Sequence, residues 1–262
     1  MSLESRIEGK ISLITGATSG IGKSSIKELA KLGSNVIIIG RREDILLDLK
    51  KEIESTYKVK ILPVCLDIRD AKEIEKKLGD LPAEWKDVDI LVNNAGLAIG
   101  TEKAYNNTVE EIDAMVDTNI KGLLYITRAI VPQMIERNAE GIIINLGSVA
   151  GNIAYGGGAI YCGTKAAIRF ISDGLRIDLM NTPIRVTNVE PGLVETEFSI
   201  IRYRGDKAAA KKVYTGIDAL TPDDIAATIA YICNLPKNIQ VPEIILTPTH
   251  QADGVHKHYE TN

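Results

Sequence analysis

Tyr161 and Lys165 stand four residues apart in Tyr161-Cys162-Gly163-Thr164-Lys165, a spacing that sets both side chains on one face of a helix. A phenol titrates at about 10 in water, and an adjacent ammonium favours its ionised form, so Tyr161 is a candidate acid and base. Ser148 follows a short apolar run and falls where the carboxyl end of a sheet strand is expected. There its hydroxyl could orient a carbonyl or an alkoxide.

A second constellation is made of glycines. In Thr15-Gly16-Ala17-Thr18-Ser19-Gly20-Ile21-Gly22 three of them separate an apolar run from a helical stretch. Glycine allows positive φ and a close approach of the main chain, and a helix N-terminus offers unpaired N–H groups to a pyrophosphate. The spacing G-x-x-x-G-x-G differs from the commoner G-x-G-x-x-G, but the place after the first strand suits a dinucleotide, with Gly16, Thr18, Ser19, Gly20, Ile21 and Gly22 around it. The next apolar run ends in Gly40-Arg41-Arg42-Glu43. A carboxylate at this point would hold a ribose 2′-hydroxyl, whereas the guanidinium groups of Arg41 and Arg42 suit a 2′-phosphate, which favours NADP(H). Glu43 is equally suited to the first turn of the following helix. An oxidised nicotinamide beside Tyr161 would add to the pull toward phenolate.

These groups need a frame. β-Branched apolar runs at Ile11–Ile14, Val36–Ile39, Val59–Val64, Ile90–Val92, Ile142–Ile144, Val186–Val189 and Ile244–Leu246 read as parallel strands buried on both faces. Stretches of helical period lie between them at Gly20–Leu32, Glu43–Tyr57, Ala71–Leu78, Val109–Arg137, Tyr161–Met180 and Pro222–Leu235. Repeated βαβ units predict one doubly wound α/β domain of the Rossmann type over residues 1–262. An insertion at about 195–216 and a polar tail at about 247–262 look like additions to it.

The 262 residues carry 45% hydrophobic and 25% charged side chains, enough for a sizeable core without metals or disulfides. The net charge of −4 gives no support to binding nucleic acid or an anionic membrane. Cys65, Cys162 and Cys233 are few, odd in number and widely spaced, as in a reducing cytoplasm. The first ten residues have no apolar core of a leader, and no stretch reaches the ~18 apolar residues of a membrane span. His250, His256 and His258 in the tail lack metal-ligand spacing, so no metal is expected.

Taken in order, Thr15-Gly-x-x-x-Gly-x-Gly22, Asp67, Asn93-Asn94-Ala95-Gly96, Asn119, Ser148, Tyr161, Lys165 and Pro191-Gly192 with Thr196 resemble the short-chain dehydrogenase/reductase family over essentially the whole chain. The resemblance implies a seven-stranded parallel sheet in the order 3-2-1-4-5-6-7 and a catalytic set of Asn119, Ser148, Tyr161 and Lys165. It implies that Asp67 contacts adenine and that Asn93, Ala95 and Gly96 line the adenosine side. Asn119 would interrupt a helix and hold a water that relays protons to Lys165, which also binds the nicotinamide ribose. Pro191, Gly192, Val194 and Thr196 would hold the nicotinamide carboxamide. A homotetramer paired through the long helices is likewise implied by the resemblance alone.

Within the family the segments Gly147–Gly151, Tyr155–Gly158, Glu190–Ser199, Arg202–Asp206 and Leu246–Gln251 look like the NADP-dependent 3-hydroxy acid dehydrogenases, which act on serine, allo-threonine and related acids and reduce malonic semialdehyde. Such a substrate needs a partner for its carboxylate, and a planar guanidinium suits it. Arg202 is the candidate, with Tyr155 shaping the pocket. Arg202 could instead be an exposed loop charge or reach the cofactor phosphates. Two rival readings keep the fold: a broad carbonyl or ketoacyl reductase, and an NADP(H)-binding regulator without chemistry, whose expected signature is a broken Ser/Tyr/Lys set.

Overall fold

The structure, a computed structural model, describes residues 5–259. Seven strands form one parallel sheet: β1 (Ile11–Thr15), β2 (Asn35–Gly40), β3 (Ile61–Cys65), β4 (Val88–Asn93), β5 (Ile142–Leu146), β6 (Arg185–Pro191) and β7 (Glu243–Leu246). Their order is β3-β2-β1-β4-β5-β6-β7, as the resemblance implies. The reversal beside β1 opens a crevice at the carboxyl ends of β1 and β4, where doubly wound sheets bind ligands.

Helices cover both faces: α1 (Gly20–Lys31), α2 (Glu43–Thr56), α3 (Ala71–Gly79), α4 (Val109–Val116), α5 (Leu123–Glu136), α6 (Ala159–Asp178), α7 (Phe198–Arg202), α8 (Lys207–Lys212) and α9 (Pro222–Cys233). Successive strand side chains point to opposite faces, which divides the core in two. Val36 and Ile38 of β2 pack with Ile26, Leu46, Leu49 and Ile229 on the α1, α2 and α9 side. Ile37 and Ile39 pack with Ile74, Ile126, Ile130 and Leu179 on the other. Burial on both faces is why the strands read as unbroken apolar runs. Pro63 interrupts that chemistry but lies in β3, the edge strand, where a missing N–H costs no ladder bond on the outer side.

Side-chain caps fix where several helices begin. Asp70 accepts from the N–H groups of Lys72 and Glu73 at the start of α3. Thr108 with Glu111, and Thr221 with Asp224, form reciprocal capping boxes on α4 and α9.

One helical expectation is corrected. Read from its period as one helix, Val109–Arg137 is broken between α4 and α5 by a wide π turn at Asp117–Gly122, around the Asn119 at which the resemblance implies an interruption, and β3 begins at Ile61 instead of Val59. The wide turn has a tertiary cause: the Asn119 amide donates to Leu97 O and Thr164 Oγ1, both at 2.8–2.9 Å, and accepts from Leu97 N at 2.8 Å. No helix among the described residues is long and apolar enough to cross a membrane.

Candidate active site

A cavity of about 990 Å³ runs along the carboxyl ends of the strands, from the β1–α1 turn to the chain after β7. Gly16, Thr18, Ser19, Gly20 and Ile21 line one end. Gly16 and Gly20 have φ of 68° and 50°, values that favour glycine. Gly22 is buried and does not line the cavity: a Cβ there would fall on Gly16 O and Asn94 Nδ2. It serves the turn by letting α1 press against it. Ser19 makes no side-chain cap and the first turn of α1 holds no acid, so the helix N-terminus keeps its donors and its partial positive charge for an anion.

Arg41 and Arg42 line the same end. The Arg42 guanidinium donates to Thr18 Oγ1 at 2.9 Å and to Thr18 O at 3.2 Å, and stands 3.6 Å from Glu197 across the opening. Asp67 also lines it, its carboxylate held by Arg69 at 2.6 Å, which keeps it below the usual carboxylate range.

The resemblance placed Asn93 on the adenosine side, and the structure does not. Asn93 is buried in β4, donating to Thr127 Oγ1 at 3.1 Å and Asn145 Oδ1 at 3.0 Å. Its neighbour Asn94 lines the cavity instead and donates to Thr15 O at 2.9 Å and Gly16 O at 3.2 Å, tying β4 to the glycine turn. Ala95 and Gly96 line the cavity beside it.

Midway along, Ser148, Tyr161 and Lys165 come together. Ser148 Oγ accepts from Ala150 N at 3.1 Å and reaches Pro191 O only at 3.4 Å. Lys165 Nζ donates to Leu146 O at 2.7 Å and lies 5.8 Å from the Tyr161 ring centroid. Burial pushes the ammonium down to about 8, against a smaller opposing pull from the buried Glu190. Tyr161 keeps part of its surface open to the cavity, but its oxygen is deep among protein atoms. Burial, and then Tyr155, push the phenol well above its ordinary value, while Ser148 and Arg202 favour the phenolate. Asn119 is buried behind this set: a Cβ on Gly96 would lie 3.3 Å from Asn119 Oδ1 and 3.4 Å from Lys165 Nζ. Glycine at 96 keeps the space between the two open.

At the far end Arg202, on α7, is no exposed loop charge. Its Nη1 donates to Tyr155 Oη at 3.0 Å, and its guanidinium carbon is 5.3 Å and 6.0 Å from the Tyr155 and Tyr161 ring centroids. Burial pushes the Tyr155 phenol up, against the opposing pull of Arg202. Arg202 Nε is buried without a hydrogen-bond partner among the described residues. Pro191, Gly192, Val194 and Thr196 line the wall between.

Residues missed in the sequence complete the site. Phe198 stacks at a tilt on Tyr161, 5.5 Å between centroids. Tyr214 bonds Ser199 Oγ at 2.6 Å and Val194 O at 3.2 Å. Gln251, Gly254, Val255, Lys257 and Tyr259 of the tail line the cavity too. Only the buried, polar Gln251, whose Oε1 accepts from Leu193 N at 2.7 Å, carries a signal of such a role, and it shows only in the fold. Among the described residues no group of three or more His, Cys, Asp or Glu could hold a metal ion.

A doubly wound sheet, a glycine-rich turn before α1 and a Ser/Tyr/Lys set at the strand ends define a dinucleotide-dependent oxidoreductase. A family model described as short chain dehydrogenase matches residues 10–204. The chain belongs to that family. It is 42% identical over 253 residues to the NADP-dependent 3-hydroxy acid dehydrogenase of Schizosaccharomyces pombe, covering 96% of this chain and 97% of that protein. It is 45% identical over 240 residues to the serine 3-dehydrogenase of Rhizobium radiobacter, covering 92% and 94%. A closed form of serine dehydrogenase complexed with NADP+ superposes with a TM-score of 0.88 at 44% identity, over 96% of this chain and 100% of that one.

Proposed function

We propose that the protein is an NADP-dependent dehydrogenase of 3-hydroxy acids such as serine, allo-threonine or 3-hydroxypropionate, and in reverse a reductase of malonic semialdehyde. The observation that carries this reading is Arg202, whose guanidinium sits against both Tyr155 and Tyr161 with a buried, unpartnered Nε. A carboxylate one carbon away from the reacting carbinol would meet it while the hydroxyl reaches Tyr161. Relatives at 42% and 45% identity that are named for hydroxy acid and serine substrates support it.

The cavity fits the dinucleotide. Glycines at 16 and 20 and the open N-terminus of α1 form a cradle for a pyrophosphate with Thr18, Ser19 and Ile21. Arg41 and Arg42 suit a 2′-phosphate, Asp67, Ala95 and Gly96 the adenosine side, and Pro191, Gly192, Val194 and Thr196 the carboxamide. When bound, NADP+ supplies the hydride acceptor and a positive charge beside Tyr161. With that charge in place Tyr161, as the phenolate, would take the hydroxyl proton at Oη while Ser148 Oγ donates to the same oxygen. The carbon–hydrogen bond breaks, its electron pair leaves as hydride, and a carbonyl forms. Lys165 would hold the nicotinamide ribose. Asn119 positions the Leu97 loop and the Lys165 turn of α6, with a water relay from Lys165 in the space kept open at Gly96.

The same reading takes the protein as a homotetramer in a reducing cytoplasm. Phe170 and Ile177, seven residues apart on α6, stand 74% and 64% exposed, an apolar face of the kind a partner covers. The acid reading is tested with Arg202→Ala. Its kcat/KM for L-allo-threonine falls roughly a hundredfold relative to 2-butanol, the range for loss of a charge-assisted pair. Equal loss on both substrates would overturn the carboxylate role.

A further inference from the structure

The acid-binding end holds a second cation. After β7 the chain folds back on the catalytic wall. Gln251 is fixed through Leu193 N, and its Nε2 donates to Asp253 O at 2.7 Å. Asp253 accepts from the N–H groups of Val255 and His256 and pairs with the His256 ring at 2.8 Å. A bridge between Gln251 and Lys257, with Ala252 N bonded to His256 O, closes the loop, and Gly254 packs on Val149 and Ile153 beside Ser148. This bracing sets Lys257 in the wall of the cavity that Arg202 also lines.

Lys257 is half-buried, and its ammonium makes no hydrogen bond or ion pair among the described residues. Burial, then the positive charge of Arg202, hold it below the ordinary lysine value, against a smaller pull from Asp253. Asp253 is committed to His256 and its own turn. Two like charges thus face one space, each short of an anion among the described residues, and an anion between them would remove the repulsion.

We infer that Lys257 is a specificity-determining residue, and that its ammonium and the Arg202 guanidinium close on one substrate carboxylate from the tail and from α7. This rests on the acid reading above. The cation pair suits small hydroxy acids over neutral alcohols of the same size.

The test is steady-state kinetics of the whole protein, wild type, Lys257→Gln and Lys257→Arg, at saturating NADP+ with 3-hydroxypropionate and with 2-butanol. Expected for Lys257→Gln is a drop of roughly tenfold in kcat/KM for the acid relative to 2-butanol, carried by KM, with Lys257→Arg restoring most of it. The arginine variant keeps the test decisive where the glutamine variant folds poorly, since a normal KM for the acid with arginine and a raised one with glutamine requires a cation. An unaltered acid preference in Lys257→Gln overturns the inference alone. A raised KM for NADP+ in place of the acid overturns it as well, by assigning Lys257 to the cofactor. A wild-type protein that oxidises 2-butanol but no acid overturns the acid reading and this inference together.

Discussion

At the nucleotide end the cavity wall is largely main chain: glycines at 16 and 20, the first turn of α1, and Asn94 clamping β4 to Thr15 O and Gly16 O. At the Arg202 end it is side chain: Arg202 against Tyr155, Tyr214 against Ser199, and Gln251 holding the tail to Leu193. The first end sits on strand ends inside the sheet, and the second is carried by α7, the loop before α6, the turn after α8 and the tail. A main-chain cradle accepts any pyrophosphate of the right shape, whereas a side-chain pocket can be retuned one residue at a time. On the proposed reading, binding strength belongs to one end and substrate choice to the other.

Tyr161 lies where the ends meet, and its loss is the largest effect expected. Tyr161→Phe should lower kcat on the order of 10³-fold with NADP+ binding retained, read by stopped assays and fluorescence titration. Near-native turnover with the fold intact would remove the phenol from the chemistry and the contrast with it.

A smaller effect separates packing from exposure among glycines. Gly22→Ala places a methyl on Gly16 O and should cost about 1–3 kcal/mol of stability with weakened NADP+ binding. Gly163→Ala, on α6 with nothing within 4 Å of the added carbon, should be neutral or stabilising by up to about 1 kcal/mol. Denaturant midpoints of the two variants give the comparison, and equal costs would show that the turn has room to yield.

The frame of the site was legible because parallel strands buried on both faces spell continuous apolar runs, and because Tyr161 and Lys165 keep their helical spacing. The break at Asp117–Gly122 was legible only through the family resemblance, which implies an interruption at Asn119, and not through local propensity. It follows from Asn119 bonding to Leu97 and Thr164, partners 22 and 45 residues away. Asn93 turns into the core and Asn94, just past β4, to the cavity, because alternation along a strand says that neighbouring side chains diverge and not which of them turns inward. Lys257 and Gln251 were read as tail because contact with Leu193, 58 residues earlier, leaves no local pattern.

The smallest effect concerns Lys165. Its folded value of about 8 lies below the ordinary 10.5, so folding is penalised while the ammonium is charged, below about pH 8. The penalty fades as pH rises from about 8 toward the ordinary value. Wild type should therefore gain stability relative to Lys165→Met between pH 7 and pH 9.5, measured by urea unfolding. A pH-independent difference would mean that the ammonium is better solvated than its burial implies.

The most direct measurement of the whole account is the initial rate of NADP+ and NAD+ reduction with L-allo-threonine, L-serine and 3-hydroxypropionate, with 2-butanol as the substrate that lacks a carboxylate. The expected result is turnover of the acids well above 2-butanol and with NADP+ well above NAD+. Turnover of 2-butanol without the acids would contradict the acid end, and a preference for NAD+ would contradict the role given to Arg41 and Arg42.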